Sequence, residues 1–186
     1  MSEPKARLSL LEQREIEARI VGPLVRAFAD HLGREKTLEI VAGVIRELAR
    51  ESGSALAESL GESTLRAFAG SLDHWRGNGA LEIEMLEQTS ERLSFNVTRC
   101  RYAEMYRALG LDELGASLSC QRDFALAQGF NPSIELTRTQ TIMGGAPHCD
   151  FRFRLAEAGQ PALIPEPGLG EAFPSVSDAE PSSAGP

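Results

Sequence analysis

A chain of 186 residues with 42% hydrophobic and 25% charged side chains has the composition of an ordinary globular protein, long enough to bury one core. No apolar run approaches the roughly eighteen residues a membrane helix needs, and the start, MSEPKARLSLLEQREIEARI, lacks the basic-then-apolar pattern of a signal peptide, so a cytoplasmic protein off the membrane is expected. The net charge of -8, with Lys and Arg scattered rather than clustered, argues against nucleic acid and leaves a small molecule as the expected partner, with oligomeric state unspecified.

The first half reads as helices. In LLEQREIEARIVGPLVRAFADHL the residues Leu11, Ile16, Ile20, Leu24, Val25 and Phe28 form a one-sided apolar stripe, and Gly22-Pro23 predicts a kink. A second helix, GREKTLEIVAGVIRELARES, sets Leu38, Val41, Ile45 and Leu48 on one face. A third runs from about Ala55 to Leu72 through Leu56, Leu60, Leu65 and Phe68. Gly33 and Gly53 are expected to mark the stops between them.

After Gly77-Asn78-Gly79 the period switches to two. ALEIEMLEQ alternates Leu81, Ile83 and Met85 against Glu82, Glu84 and Glu87, and RLSFNVTR alternates Leu93, Phe95 and Val97 with polar residues, which predicts a hairpin with one wet face. YAEMYRALG is a short helix ending at Gly110, and LDELGASLSCQRDFALAQGF a more broken one stopping at Gly129. SIELTRTQTIM and CDFRFRL form a second strand pair joined by a Gly-Gly loop. The expected fold is therefore α+β: an N-terminal helical layer packed on an antiparallel sheet of about four strands, with helices inserted between the hairpins. Residues 1–156 form this single domain. From Glu157 onward six of the ten prolines and five acidic residues, with no Lys or Arg, predict a disordered acidic tail over 157–186.

All three cysteines lie between positions 100 and 149. An odd number without an export signal argues against a disulfide framework, which leaves reactive, metal-bound or buried thiols. Nineteen residues separate Cys100 from Cys120 and twenty-eight separate Cys120 from Cys149, with none of the close pairs of a zinc cage, so no metal or other cofactor is expected. Cys100 stands where a strand gives way to a helix, whose dipole would draw the thiol toward thiolate, although a buried small side chain fits the position equally well.

Cys120 and Asp123, three apart, share one face if the segment is helical, where the carboxylate would take a proton or orient water beside the thiol, or would simply be a helix-surface Asp. On the last strand Cys149 should face the same way as Phe151 and Phe153, with His148, Asp150 and Arg152 opposite. Gly144 and Gly145 suit a hairpin turn or a close backbone approach to a ligand. Arg138 and Gln140 should share one strand face and Thr139 and Thr141 the other, and a buried Arg138 would suit a substrate carboxylate.

As a set, Cys100, Cys120, Asp123, Arg138, Thr139, Thr141, Gly144, Gly145, Cys149, Asp150, Phe151 and Phe153 follow the pattern C-x19-C-x2-D and R-T-x-T-x2-G-G-x3-C-D-F-x-F. That pattern resembles the L-2-amino-thiazoline-4-carboxylic acid hydrolase family. The resemblance implies a hydrolase that opens a small cyclic amidine or related C–N ring, the namesake reaction converting a thiazoline to N-carbamoyl-L-cysteine. It points to Cys120, Asp123, Cys100 and Cys149 as catalytic candidates and to Arg138, Thr139, Thr141, Gly144, Gly145 and Asp150 as substrate-binding ones. The contrasting reading is a non-enzymatic α+β module that binds a small molecule or metal as a sensor, favoured by the scarcity of histidine in the window.

Overall fold

The computed structural model describes residues 8–156, so the expected tail lies outside the described residues. Helix α1, Leu10–Leu32, opens with a reciprocal cap. The Ser9 hydroxyl accepts from the Glu12 N–H, and the Glu12 carboxylate accepts from the Ser9 N–H at 2.7 Å. The helix runs on through Pro23 and stops at Gly33, whose φ of 82° no branched residue takes comfortably. Its apolar stripe, apart from Val25, is not its buried face. Ala18, Gly22 and Val25 pack inward while Ile16, Ile20, Leu24 and Phe28 stay about half exposed.

Helix α2, Arg34–Leu60, does not stop at Gly53 but continues to the left-handed Gly61. Gly53 serves another purpose: α2 crosses α7, Arg122–Phe130, with almost no space between the backbones. A Cβ at Gly53 would stand 2.7 Å from the Phe130 nitrogen, and one at Gly129 would stand 2.8 Å from the Arg50 Cα. The expected third helix is divided: residues 55–60 continue α2 as far as Gly61, and beyond that stop Thr64 caps a separate α3, Leu65–Gly70, which is followed by α4, Leu72–Trp75.

Four antiparallel strands form one sheet: β1, Leu81–Gln88; β2, Arg92–Cys100; β3, Ile134–Thr137; and β4, Cys149–Leu155, in the order β1-β2-β4-β3. Both predicted hairpins are present and join through the β2–β4 pairing. The alternation of β1 fails at Met85, which is exposed, because register shifts fall at Glu82/Ile83 and Met85/Glu87. The second hairpin is shorter than its alternating sequence suggested. Strand β3 ends at Thr137, so Arg138 to His148 form a loop.

Helix α5, Arg101–Ala108, leaves β2 directly. Helix α6, Asp112–Gly115, leads into a π-helical turn, Ala116–Cys120, and then α7. The helical layer meets the sheet through α3 and α7 over an aromatic core in which Phe95 and Phe151 stack at 4.9 Å and Phe68 meets Phe153 at 5.1 Å. A second core, with Val25, Leu38, Ile45, Tyr106 and Leu118, joins α1 and α2 to the inserted helices. Among the described residues no helix is long and apolar enough to cross a membrane.

Candidate functional site

Beside the aromatic core, against its Val97, Cys149 and Phe151, lies a cavity of about 110 Å³. All three cysteines line it, together with Asp123 and Arg138. Residues 100, 120, 123, 138 and 149, far apart in sequence, thus converge on one space, and the thiols carry no disulfide. A comparison of scale fixes what the cavity suits, since an engineered cavity of about 150 Å³ holds a benzene molecule. The space fits one small ring.

Cys120 and Asp123 reach the cavity because the π turn adds a residue to the helix. The Gln121 N–H bonds five residues back, to the Ala116 carbonyl at 3.1 Å, before α7 begins with Arg122. The Asp123 carboxylate pairs with Arg138 Nη1, and Arg138 Nη2 donates to the Cys120 carbonyl at 2.9 Å. The Arg138 guanidinium lies 5.0 Å from the ring centres of both Phe124 and Phe151. Arg138 is therefore not presented from a strand face as expected: it is a loop residue whose two amino groups are engaged by the protein.

Cys100 does stand at the start of α5, and the backbone N–H groups of Ala103 and Tyr102 pull its pKa down, as the helix-terminus argument expects. Burial outweighs them and pushes the thiol up to about 11. Burial also raises Cys120, against the pull of Arg138 and with a further push from Asp123, and it raises Cys149, against the Ile142 N–H that donates to its sulphur at 3.2 Å. All three are thiols at neutral pH, so of the two readings of Cys100 the buried thiol holds. Burial likewise raises the Asp123 carboxyl, opposed by Arg138.

Cys149 faces inward with Phe151 and Phe153, as the strand alternation requires, and His148 faces away, its Nε2 2.9 Å from Gln140 Nε2. The remaining candidates, Thr139, Thr141, Gly144 and Gly145 in the 138–148 loop and Asp150 beside it on β4, do not line the cavity. Asp150 accepts from the Thr139 hydroxyl at 2.7 Å, the Thr139 N–H at 3.0 Å and the Gln140 N–H at 2.8 Å. These bonds replace the strand ladder that β3 gives up. They also outweigh the effect of burial and lower the Asp150 pKa. Thr141 accepts from the Gly144 N–H at 3.0 Å, and Gly145, at φ 93°, closes the turn.

Several lining residues were not singled out from the sequence: Tyr102, Trp75, Arg14 and Arg122. Arg14 and Arg122 come from α1 and α7 and share one carboxylate, Glu17, at 2.6 and 3.2 Å. With Arg138 and Asp123 this puts three arginines against two carboxylates, a net positive lining. No short spacing links position 14 to position 122, so only the folded chain, in which Arg122 reaches Glu17 of α1, reveals the pair. Among the described residues no cluster of three or more His, Cys, Asp or Glu side chains is placed to hold a metal ion.

A family model described as L-2-amino-thiazoline-4-carboxylic acid hydrolase matches residues 13–153. Comparison with curated proteins gives no significant match. Among solved structures, the phenol-responsive sensory domain of the transcription activator PoxR with phenol is similar at 17% identity and a TM-score of 0.47, over 81% of this chain and 78% of that one.

Proposed function

The chain belongs to the L-2-amino-thiazoline-4-carboxylic acid hydrolase family, and from that premise we propose that it hydrolyses a small ring at an amidine-type carbon, with Asp123 as the base. The observation that carries this is the Asp123–Arg138 pair at the wall of a one-ring cavity shared with three protonated thiols. A carboxylate whose pKa is raised by burial is a better proton acceptor than a solvated one, while a thiol held protonated is a poor nucleophile. The route through water therefore fits better than attack by Cys120, the nucleophile that the Cys-x2-Asp spacing favours.

In this reading Asp123 takes one proton from a water molecule as its oxygen bonds to the amidine carbon. The tetrahedral adduct then collapses to a carbonyl as its hydroxyl proton passes to the amidine nitrogen, whose double bond the attack has broken, and it expels one ring atom, which takes up the proton from Asp123. For a thiazoline yielding an N-carbamoyl product the bond that breaks is C–S, since the carbamoyl group keeps both nitrogens; for an all-nitrogen ring it is C–N. Arg138 positions the Asp123 carboxylate. Arg14 and Arg122, with one carboxylate between them, hold the substrate's acid group in place of Arg138, whose amino groups are engaged.

A panel of cyclic amidines, lactams and hydantoins, beginning with the thiazoline carboxylate, tests this by mass spectrometry for the gain of one water. Asp123→Asn should lose activity by at least about 100-fold. Arg122→Gln should raise KM for a carboxylate-bearing ring by about 10-fold or more with a smaller change in kcat. Cys120→Ser should retain turnover, and its inactivity at matched folding would restore the thiol route. A ring that raises the melting temperature without being opened would make the protein a binding module instead.

A further inference from the structure

The exposed stripe of α1 has a counterpart. Leu24, Phe28 and Leu32 on α1 and Ile40, Val44 and Leu48 on α2 each step by four residues, and all six are between 47% and 56% exposed. Five of them line a groove of about 920 Å³ between the two helices, and Leu24 continues the α1 row beside it. Rows at a spacing of four are the ridges that interdigitate in the commonest helix packing.

We propose that this face is a homodimer interface, in which a second copy of the chain lays its own α1–α2 pair against the first to form a four-helix bundle. Six half-exposed aliphatic and aromatic residues offer on the order of 500 Å² of contiguous apolar surface, near the upper size of patches on monomers. Applied twice by a two-fold axis, these residues alone bury about 1,000 Å², the size at which a specific interface begins, before any polar rim is added. The charges at the groove rim balance, Arg14 and Arg122 against Glu17 and Glu51. A neutral rim accepts a second neutral rim. It gives no attraction to residues 157–186, which carry five acidic side chains and no basic one.

Light scattering on the full-length chain at about 100 µM, well above the micromolar range of ordinary interfaces, should give twice the 20.2 kDa chain mass. Phe28→Glu with Val44→Glu should give a monomer with an unchanged far-ultraviolet circular dichroism spectrum, because both side chains are already half in water. Should the pair disturb the fold, Leu24→Lys with Ile40→Lys provides a second reading of the same face. A monomeric wild type overturns the proposal, as does a dimer that persists in a folded double variant. A monomer whose binding of a hydrophobic dye rises when residues 157–186 are removed would assign the face to that segment instead, and one whose dye binding does not change would leave it to a different protein; either result also overturns the second-copy assignment.

Discussion

Arg138 carries more of the structure than its single ion pair suggests. It engages Asp123, the Cys120 carbonyl and two aromatic faces from a loop position, and its side chain is 6% exposed. Removing one partner of such a pair leaves the other charge uncompensated, so Arg138→Met should destabilise by about 3 kcal/mol. Adding Asp123→Asn should recover a large part of that loss, because the stranded charge is gone. Equal losses in the single and double variants, measured by urea unfolding, would show that packing rather than charge holds the residue.

The thiols set a pH limit of their own. Cys100 is raised from 9.0 to about 11, and Tyr102 and Tyr106 from 10.0 to about 12, in each case chiefly by burial. A group whose pKa is higher folded than unfolded favours the fold fully below the unfolded value, and that contribution is lost as pH rises toward the folded one. The melting temperature should therefore hold up to about pH 9 and fall between about 9 and 11, with a shallower fall in Cys100→Ala. A curve that is flat to pH 11 would contradict the burial of these groups.

At the level of elements, the crossing of α2 over α7 turns two glycines from helix breakers into contact points. Gly53→Ala or Gly129→Ala should destabilise by about 1–3 kcal/mol, because backbone atoms stand within 3 Å of the added carbon. Gly43, in the same α2 helix with nothing within 4 Å, is the control: Gly43→Ala should stabilise by about 0.5–1 kcal/mol. Thermal unfolding of the three variants decides it, and stabilisation at all three would mean the helices do not approach as described.

These elements also show where sequence reading reaches. Period two found both hairpins and the inward turn of Cys149, because a buried sheet face imposes alternation directly on neighbouring residues. The Cys120–Asp123 pair was legible because a spacing of three is local. Gly53 misled because a glycine needed for contact with a distant helix looks the same as one needed for a stop. Arg138 to Thr141 alternate like a strand, but the Asp150 carboxylate captures the Thr139 and Gln140 N–H groups, and that capture depends on a partner ten or eleven residues away. The arginines at 14 and 122 left no local trace at all.

On the scale of the whole molecule, one face of the chain is helical and apolar, and the cavity lies inward of it, with Arg14 and Arg122 lining both cavity and groove. The sheet lies on the other side, and its two outermost strands differ from the helical face in a way that matters for how molecules meet. The last strand in the order, β3, is four residues long. The first, β1, has two register shifts and carries Glu82, Glu84 and Glu87. An outer strand offers unpaired backbone groups on which a neighbour's strand can grow, and shortness, irregular pairing and charge are the features that deny it a template. The sheet is thus guarded against runaway strand-by-strand polymerisation along both margins, and in the proposed dimer cohesion between copies is directed to a helical surface where association closes after one partner.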